Sequence, residues 1–232
     1  MGIVHRFMSI EEQSNIINEC NIGRDQYGTD GLQVGAAIGV TGDFIERAQE
    51  LVMEGGSVLC LDVAHGHHKL VKEAIRRLKN EISGICDILA GNVATRESAK
   101  DLCEWGADGI RVGIGGGSLC STRIQTGVGC PMVSSILDTV SVADTYGVPI
   151  MADGGIRIPA DICKGLAGGA DTVMLGSLLS GTKETPGSIT KQGQWPNEVL
   201  QKKYRGSASI ESKLDRGESK NVEGYSTSTP YK

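Results

Sequence analysis

Cys120 lies inside the run G-I-G-G-G-S-L-C-S-T-R-I-Q-T-G-V-G-C-P, residues 113–131. The hydroxyls of Ser118, Ser121 and Thr122 flank it, and Arg123 follows. A thiol on a polar loop beside a cation is placed to ionise and attack an electrophile. Gly113, Gly115, Gly116 and Gly117 allow positive φ and close backbone approach, so the run reads as loop rather than helix or strand interior. The alternative is a turn-rich connection with an incidental cysteine, since a free thiol is often just a small buried hydrophobe.

Two further glycine motifs lie downstream, Ala152-Asp153-Gly154-Gly155-Ile156 and Leu175-Gly176-Ser177. Glycine backbone N–H groups at strand ends cradle phosphate, and paired motifs of this kind predict a phosphorylated substrate. Asp153 could accept hydrogen bonds from ribose hydroxyls, or simply cap a helix. Upstream, Asp62-Val63-Ala64-His65-Gly66-His67-His68 invites a metal reading. His65 and His67 would point to opposite sides of a continuing strand, and zinc needs three or four placed ligands. Asp62 is better read as a carboxylate facing a cofactor ribose. A Rossmann fingerprint is absent, so a nicotinamide cofactor would have to lie in the mouth of a barrel.

The elements that must carry these residues alternate strand, loop and helix. Short apolar runs predict seven strands at 2–5, 32–40, 57–64, 86–93, 109–112, 148–152 and 172–179. Amphipathic stretches predict helices at 10–18, 41–53, 69–79, 95–105, 132–146 and 158–165, the first opened by a Ser9–Glu12 capping box and the fourth capped by Thr95. Such alternation indicates parallel βαβ units in an α/β fold. Asp62, Asn92, Gly113, Asp153 and Gly176 each end or follow a strand, as at the C-terminal face of a (β/α)8 TIM-type barrel. An open doubly wound sheet would gather them at one switch point instead. With seven strands the expected barrel lacks its first, and the motifs at 153 and 176 then follow its seventh and eighth. Residues 1–182 form the expected barrel core. Residues 183–232 are polar and aperiodic, either a disordered tail or a mobile lid segment of the same domain.

Composition sets outer bounds. The chain has 232 residues, a length usual for one barrel domain, and 33 glycines, about twice the ordinary share of ~7%. The formal net charge of −5, without a long basic run, argues against nucleic-acid binding. Seven scattered cysteines, none in a C-x-x-C pair, suit a reducing cytosol better than a disulfide framework. No signal peptide or membrane-spanning run is read, which predicts a cytoplasmic protein.

R-V-G-I-G-G-G-S-L-C-S-T-R-I-Q-T-G-V-G-C-P resembles the active-site loop of the IMP dehydrogenase and GMP reductase family. M-A-D-G-G-I-R-I-P-A-D-I, V-M-L-G-S-L-L-S-G-T and Y-R-G-S-A-S resemble the same family in the same order, and G-I-V-H-R-F-M-S-I-E-E-Q, L-D-V-A-H-G-H and A-G-N-V-A-T extend the match over nearly the whole chain. The resemblance implies a purine nucleoside monophosphate at the barrel mouth and a thioimidate on Cys120. It implies that Ser118, Asp153, Gly154, Gly155, Gly176, Ser177 and Tyr204 hold the nucleotide's ribose and phosphate, with Gly206, Ser207 and Glu223 nearer the base. Asp62, Val63, Ala64, Gly113 and Gly115 would face the nicotinamide half of NADPH or NAD. Carbonyls of Gly113, Gly115 and Cys120 would bind a monovalent cation, potassium by the same likeness. Thr122 matches a proton-handling threonine, and Glu211 stands near a catalytic glutamate of the reductase. A homo-oligomer, a tetramer in this family, is also implied.

Direction separates two enzymes. A dehydrogenase of this family activates water with an Arg-Tyr pair on a long flap, and no such dipeptide follows Tyr204-Arg205. The short stretch from Tyr204 to Glu223 favours the reductase, whereas D-G-G-I-R, H-G-H and Y-R-G read more like the dehydrogenase. An inactive nucleotide-binding remnant is the third reading.

Overall fold

The computed structural model describes residues 1–27, 33–82, 84–206, 209, 214 and 224–232. Its main body is a seven-stranded sheet made of β1 (Gly2–Val4), β2 (Val34–Ile38), β3 (Val58–Leu61), β4 (Asp87–Val93), β5 (Gly109–Val112), β6 (Ile150–Asp153) and β7 (Thr172–Met174). The strands pair in strict sequence order and all pairs are parallel. This is the α/β barrel-type arrangement expected, a curled part-barrel with helices between the strands and β1 and β7 at its edges.

The intervening helices are α1 (Ile10–Tyr27), α2 (Phe44–Met53), α3 (Lys69–Ile82), α4 (Arg96–Trp105), α5 (Thr122–Thr126), α6 (Met132–Tyr146) and α7 (Pro159–Ala167). Both caps read from sequence form: Ser9 and Glu12 exchange hydrogen bonds, and Thr95 accepts from the backbone of Ser98. α1 runs past the expected end at residue 18. Asn18 and Asn21 are held by Glu54, at the end of α2, rather than turning back on their own backbone. None of the helices described is long and apolar enough to cross a membrane.

Side chains alternate across each strand, so the sheet has two apolar faces. The outer face packs on the helices through Ile38, Leu59, Leu61, Ile88, Ile110 and Ile150, with Leu51, Ile75, Leu78 and Leu102 opposite. Burying each such side chain is worth about 1.5–3 kcal/mol. The inner face is narrower, with Ile3, Ala37, Cys60, Leu89, Met151 and Met174 from six of the seven strands. The inward residue of β5, in register with Met151, is Arg111.

Two expectations need correction, and the tail segment carries a sheet of its own. The run 113–131 contains a helix after all, since α5 is bounded by Ser121 and by Gly127 at φ 71°. β7 stops at Met174, and residues 175–181 leave it as consecutive turns. The polar tail is ordered over its described part as an antiparallel sheet of β8 (Ile189–Gln192), β9 (Val199–Arg205) and β10 (Ser226–Pro230), in the order β10-β9-β8. Lys202 on β9 is only 4% exposed. Its ammonium donates to the carbonyls of Thr182, Lys183 and Thr185 at 3.0, 3.3 and 2.6 Å, fixing the sheet to the end of the barrel chain.

Candidate active site

The strand ends deliver two glycine loops that pack backbone to backbone. Gly113, with φ at 138°, lies so close to β6 that a Cβ there would come within 2.2 Å of the Asp153 carbonyl oxygen. Gly154, with φ at 102°, would place a Cβ 3.0 Å from the Gly117 nitrogen. Only glycine provides both the conformation and the clearance at these two positions. The loop after β5 is thereby laid across the end of β6, and Cys120 is brought beside Asp153.

Two clefts meet along this seam. The larger, about 370 Å³, is bounded by Ser118, Asp153, Gly155, Ser177, Tyr204 and Gly206 among others. The smaller, about 240 Å³, is bounded by Val63, Ala64, Asn92, Gly113, Gly115 and Thr122 among others. Gly117, Cys120, Asp153 and Gly154 line both. The exposed Cys120 thiol donates to the Thr122 hydroxyl at 3.1 Å, so the two side chains expected to act together are in contact. The Cys120 amide closes a tight turn on the Gly117 carbonyl at 3.1 Å.

The tail sheet reaches into the same place. Tyr204 on β9 lies 3.4 Å from the Ser118 hydroxyl, and a Cβ on Gly176 would meet the Tyr204 oxygen at 3.5 Å. The amide of Tyr225 donates to the Leu119 carbonyl at 2.9 Å, and that of Gly224 to the Ser121 hydroxyl at 2.7 Å. Both chain neighbours of Cys120 are thus held from the root of β10. Ser121, 2% exposed, also accepts through its carbonyl from Ile124 and Gln125 and so starts α5.

The expected nucleotide residues Ser118, Asp153, Gly154, Gly155, Gly176, Ser177, Tyr204 and Gly206 all border the larger cleft. Ser207, Glu211 and Glu223 lie outside the described residues. Of the expected cofactor residues, Val63, Ala64, Gly113 and Gly115 border the smaller cleft, and Asp62 sits just beneath, against Arg111. The Gly113 and Gly115 carbonyls already accept from Asn92 and Arg123, and each keeps a second lone pair. Among the described residues no group of three or more His, Cys, Asp or Glu side chains converges as for a metal. His67 instead pairs with Asp101 at 2.7 Å and stacks on Trp105.

Arg111 was passed over because it stands in the apolar run G-I-R-V. The signal was available: a charge on the inward phase of a barrel strand must be paired there. It is 8% exposed and donates to Asp153 at 2.8 and 3.3 Å and to the Cys60 sulfur at 3.0 Å. Burial disfavours its charge, while the carboxylates of Asp153 and Asp62 favour it, and the guanidinium lies above its ordinary value. Burial pushes the Cys60 thiol up, which keeps it neutral.

A model described as the IMP dehydrogenase / GMP reductase domain matches residues 1–230. The chain belongs to this family. It is 39% identical over 216 residues to an inosine-5'-monophosphate dehydrogenase of Nitrosopumilus maritimus, covering 93% of this chain and 44% of that protein. It is 52% identical over 159 residues to a GMP reductase of Leishmania major, covering 68% of this chain and 32% of that one. A Mycobacterium tuberculosis inosine-5'-monophosphate dehydrogenase is 46% identical over 186 residues, 80% of this chain and 34% of that one. The chain therefore spans less than half the length of these relatives.

Proposed function

We propose that the chain carries a GMP reductase site, which converts GMP to IMP and ammonia with NADPH through a covalent adduct on Cys120. The observation that carries the reading is the seam: one exposed thiol, touching a hydroxyl, lies where a nucleotide-sized cleft and a glycine-walled second cleft meet. Among the described residues no Lys or Arg lines the larger cleft, and the groups there that suit a phosphate are glycine N–H groups and the Ser118, Ser177 and Tyr204 hydroxyls. Asp153 takes the ribose hydroxyls. In the smaller cleft, Val63, Ala64 and the backbone from Gly113 to Gly117 offer a flat wall that suits the nicotinamide end of a dinucleotide.

Cys120, as the thiolate, forms a sulfur–carbon bond at purine C2, and the 2-amino group leaves as ammonia with a proton relayed through Thr122. Val63, Ala64 and the backbone from Gly113 to Gly117 are the groups that would hold NADPH, which would supply the hydride for C2; Cys120 then leaves as the thiolate and IMP is released. Splitting one difficult displacement into two steps is the benefit of the covalent route. Carbonyls of Gly113, Gly115 and Cys120 are the groups that would hold a potassium ion and order the loop.

The short 205–223 stretch, without an Arg-Tyr pair, supports reduction over hydrolysis of the adduct. The dehydrogenase reading, IMP to XMP with NAD, keeps support from the 93% coverage by the Nitrosopumilus maritimus protein. Incubating the chain with GMP and NADPH tests the choice. Loss of the reduced-cofactor absorbance with formation of IMP is expected, and Cys120→Ala should lower the rate by about 10³-fold or more. NADH production from IMP and NAD, with no reaction of GMP, would reverse the direction. Nucleotide binding without turnover in either assay would mark a remnant.

A further inference from the structure

The inner ring of the sheet is apolar at six strands and cationic at the fifth, where Arg111 takes the place of a hydrophobic side chain. It points toward the mouth, where both carboxylates of the site converge on it. Nη2 and Nε reach one oxygen of Asp153 at 2.8 and 3.3 Å, and Nη1 lies 3.6 Å from Asp62. Asp62 also faces Arg6, 3.5 Å away, from the end of β1. Asn92 adds a bond of 2.8 Å to the same Asp153 oxygen and another of 3.0 Å to the Gly113 carbonyl. A chain of alternating charge, Arg6–Asp62–Arg111–Asp153, therefore runs behind the two clefts and reaches them at Asp153.

We propose that Arg111 is a positioning residue that holds both working carboxylates at once, Asp153 toward the nucleotide and Asp62 toward the dinucleotide. This rests on the ligand assignment proposed above. Arg111 lines neither cleft, so it acts through the two aspartates and not by touching a ligand. Its side chain is only 10% exposed, which removes the competing water and the rotamer freedom that weaken surface ion pairs. A planar fork can hold two acceptors in fixed directions, which a lysine ammonium on a flexible stem cannot. With one oxygen of Asp153 engaged by Arg111 and Asn92, the other is left for a ligand. The neutral Cys60 below receives a guanidinium N–H and adds no competing charge.

The test compares four purified variants, Arg111→Met, Arg111→Lys, Asp153→Asn and Asp62→Asn, by calorimetric titration with GMP and, separately, NADPH. Thermal unfolding is followed in parallel. Asp153→Asn should weaken GMP more than NADPH, and Asp62→Asn NADPH alone. Arg111→Met should weaken both, GMP by about tenfold or more, the worth of one charge-assisted hydrogen bond to Asp153, and NADPH by a smaller factor through the 3.6 Å ion pair with Asp62. Arg111→Lys, which serves if the Met variant does not fold, should weaken both by a smaller factor. Lowered thermal stability with unchanged affinities, or weakening of only one ligand by Arg111→Met, would overturn the proposal. Wild-type protein that binds neither GMP nor IMP would instead remove the nucleotide assignment, and this proposal with it.

Discussion

Burial withholds three of the seven cysteines from chemistry. Cys60, Cys86 and Cys103 are all pushed up by loss of solvent, Cys86 to about 11. The sign is simple: a raised thiol stays protonated, so at pH 8 only about one part in a thousand of Cys86 is the reactive thiolate. Cys120 and Cys163 are exposed. Iodoacetamide followed by peptide mapping should therefore modify Cys120 and Cys163 first, and GMP should protect Cys120 while leaving Cys163 unchanged. Equal protection of the two, or none at Cys120, would remove the thiol from the nucleotide cleft. A second residue-scale expectation concerns Gly113. An added methyl meets the Asp153 carbonyl and the Met132 side chain, in a backbone conformation only glycine adopts easily. Gly113→Ala should cost about 2–5 kcal/mol in denaturant unfolding. Gly127→Ala, also at positive φ but in open space, should cost about 1 kcal/mol.

At the scale of elements, the parallel strands and their helices were legible because burial imposes their periods. β5, β6, α4 and the capped start of α1 fall where alternation and capping residues place them, while α1 runs on past residue 18. α5 was hidden because five residues between glycine clusters carry too little pattern, and Ser121, whose carbonyl starts it, is held by a bond from the tail. β8, β9 and β10 were hidden for a related reason. Their side chains are mostly solvated, so no apolar alternation marks them, and one buried lysine anchors them instead. Lys202→Met should leave three carbonyls without their donor. A local loss of about 2 kcal/mol would raise proteolytic cleavage between β8 and β9 about thirtyfold while the helical circular dichroism stays intact. An unchanged cleavage rate would show that strand pairing alone holds the tail.

For the whole molecule, the glycine loops, the thiol and the Asp153 carboxylate could be read from the chain because each is a local motif. Their union could not, because it depends on Arg111, whose meaning lies in the register of β5 against β6 and in partners about forty to fifty residues away along the chain. The hold of the tail on Leu119 and Ser121 has a consequence of timing. Lifting the root of β10 breaks the Tyr225 and Gly224 bonds together, and these are the bonds that brace either side of the nucleophile. Admitting solvent from that side and slackening the thiol are then one event. A site built this way is disarmed by the same movement that opens it, so the adduct proposed on Cys120 would meet bulk water only after its geometry has been given up.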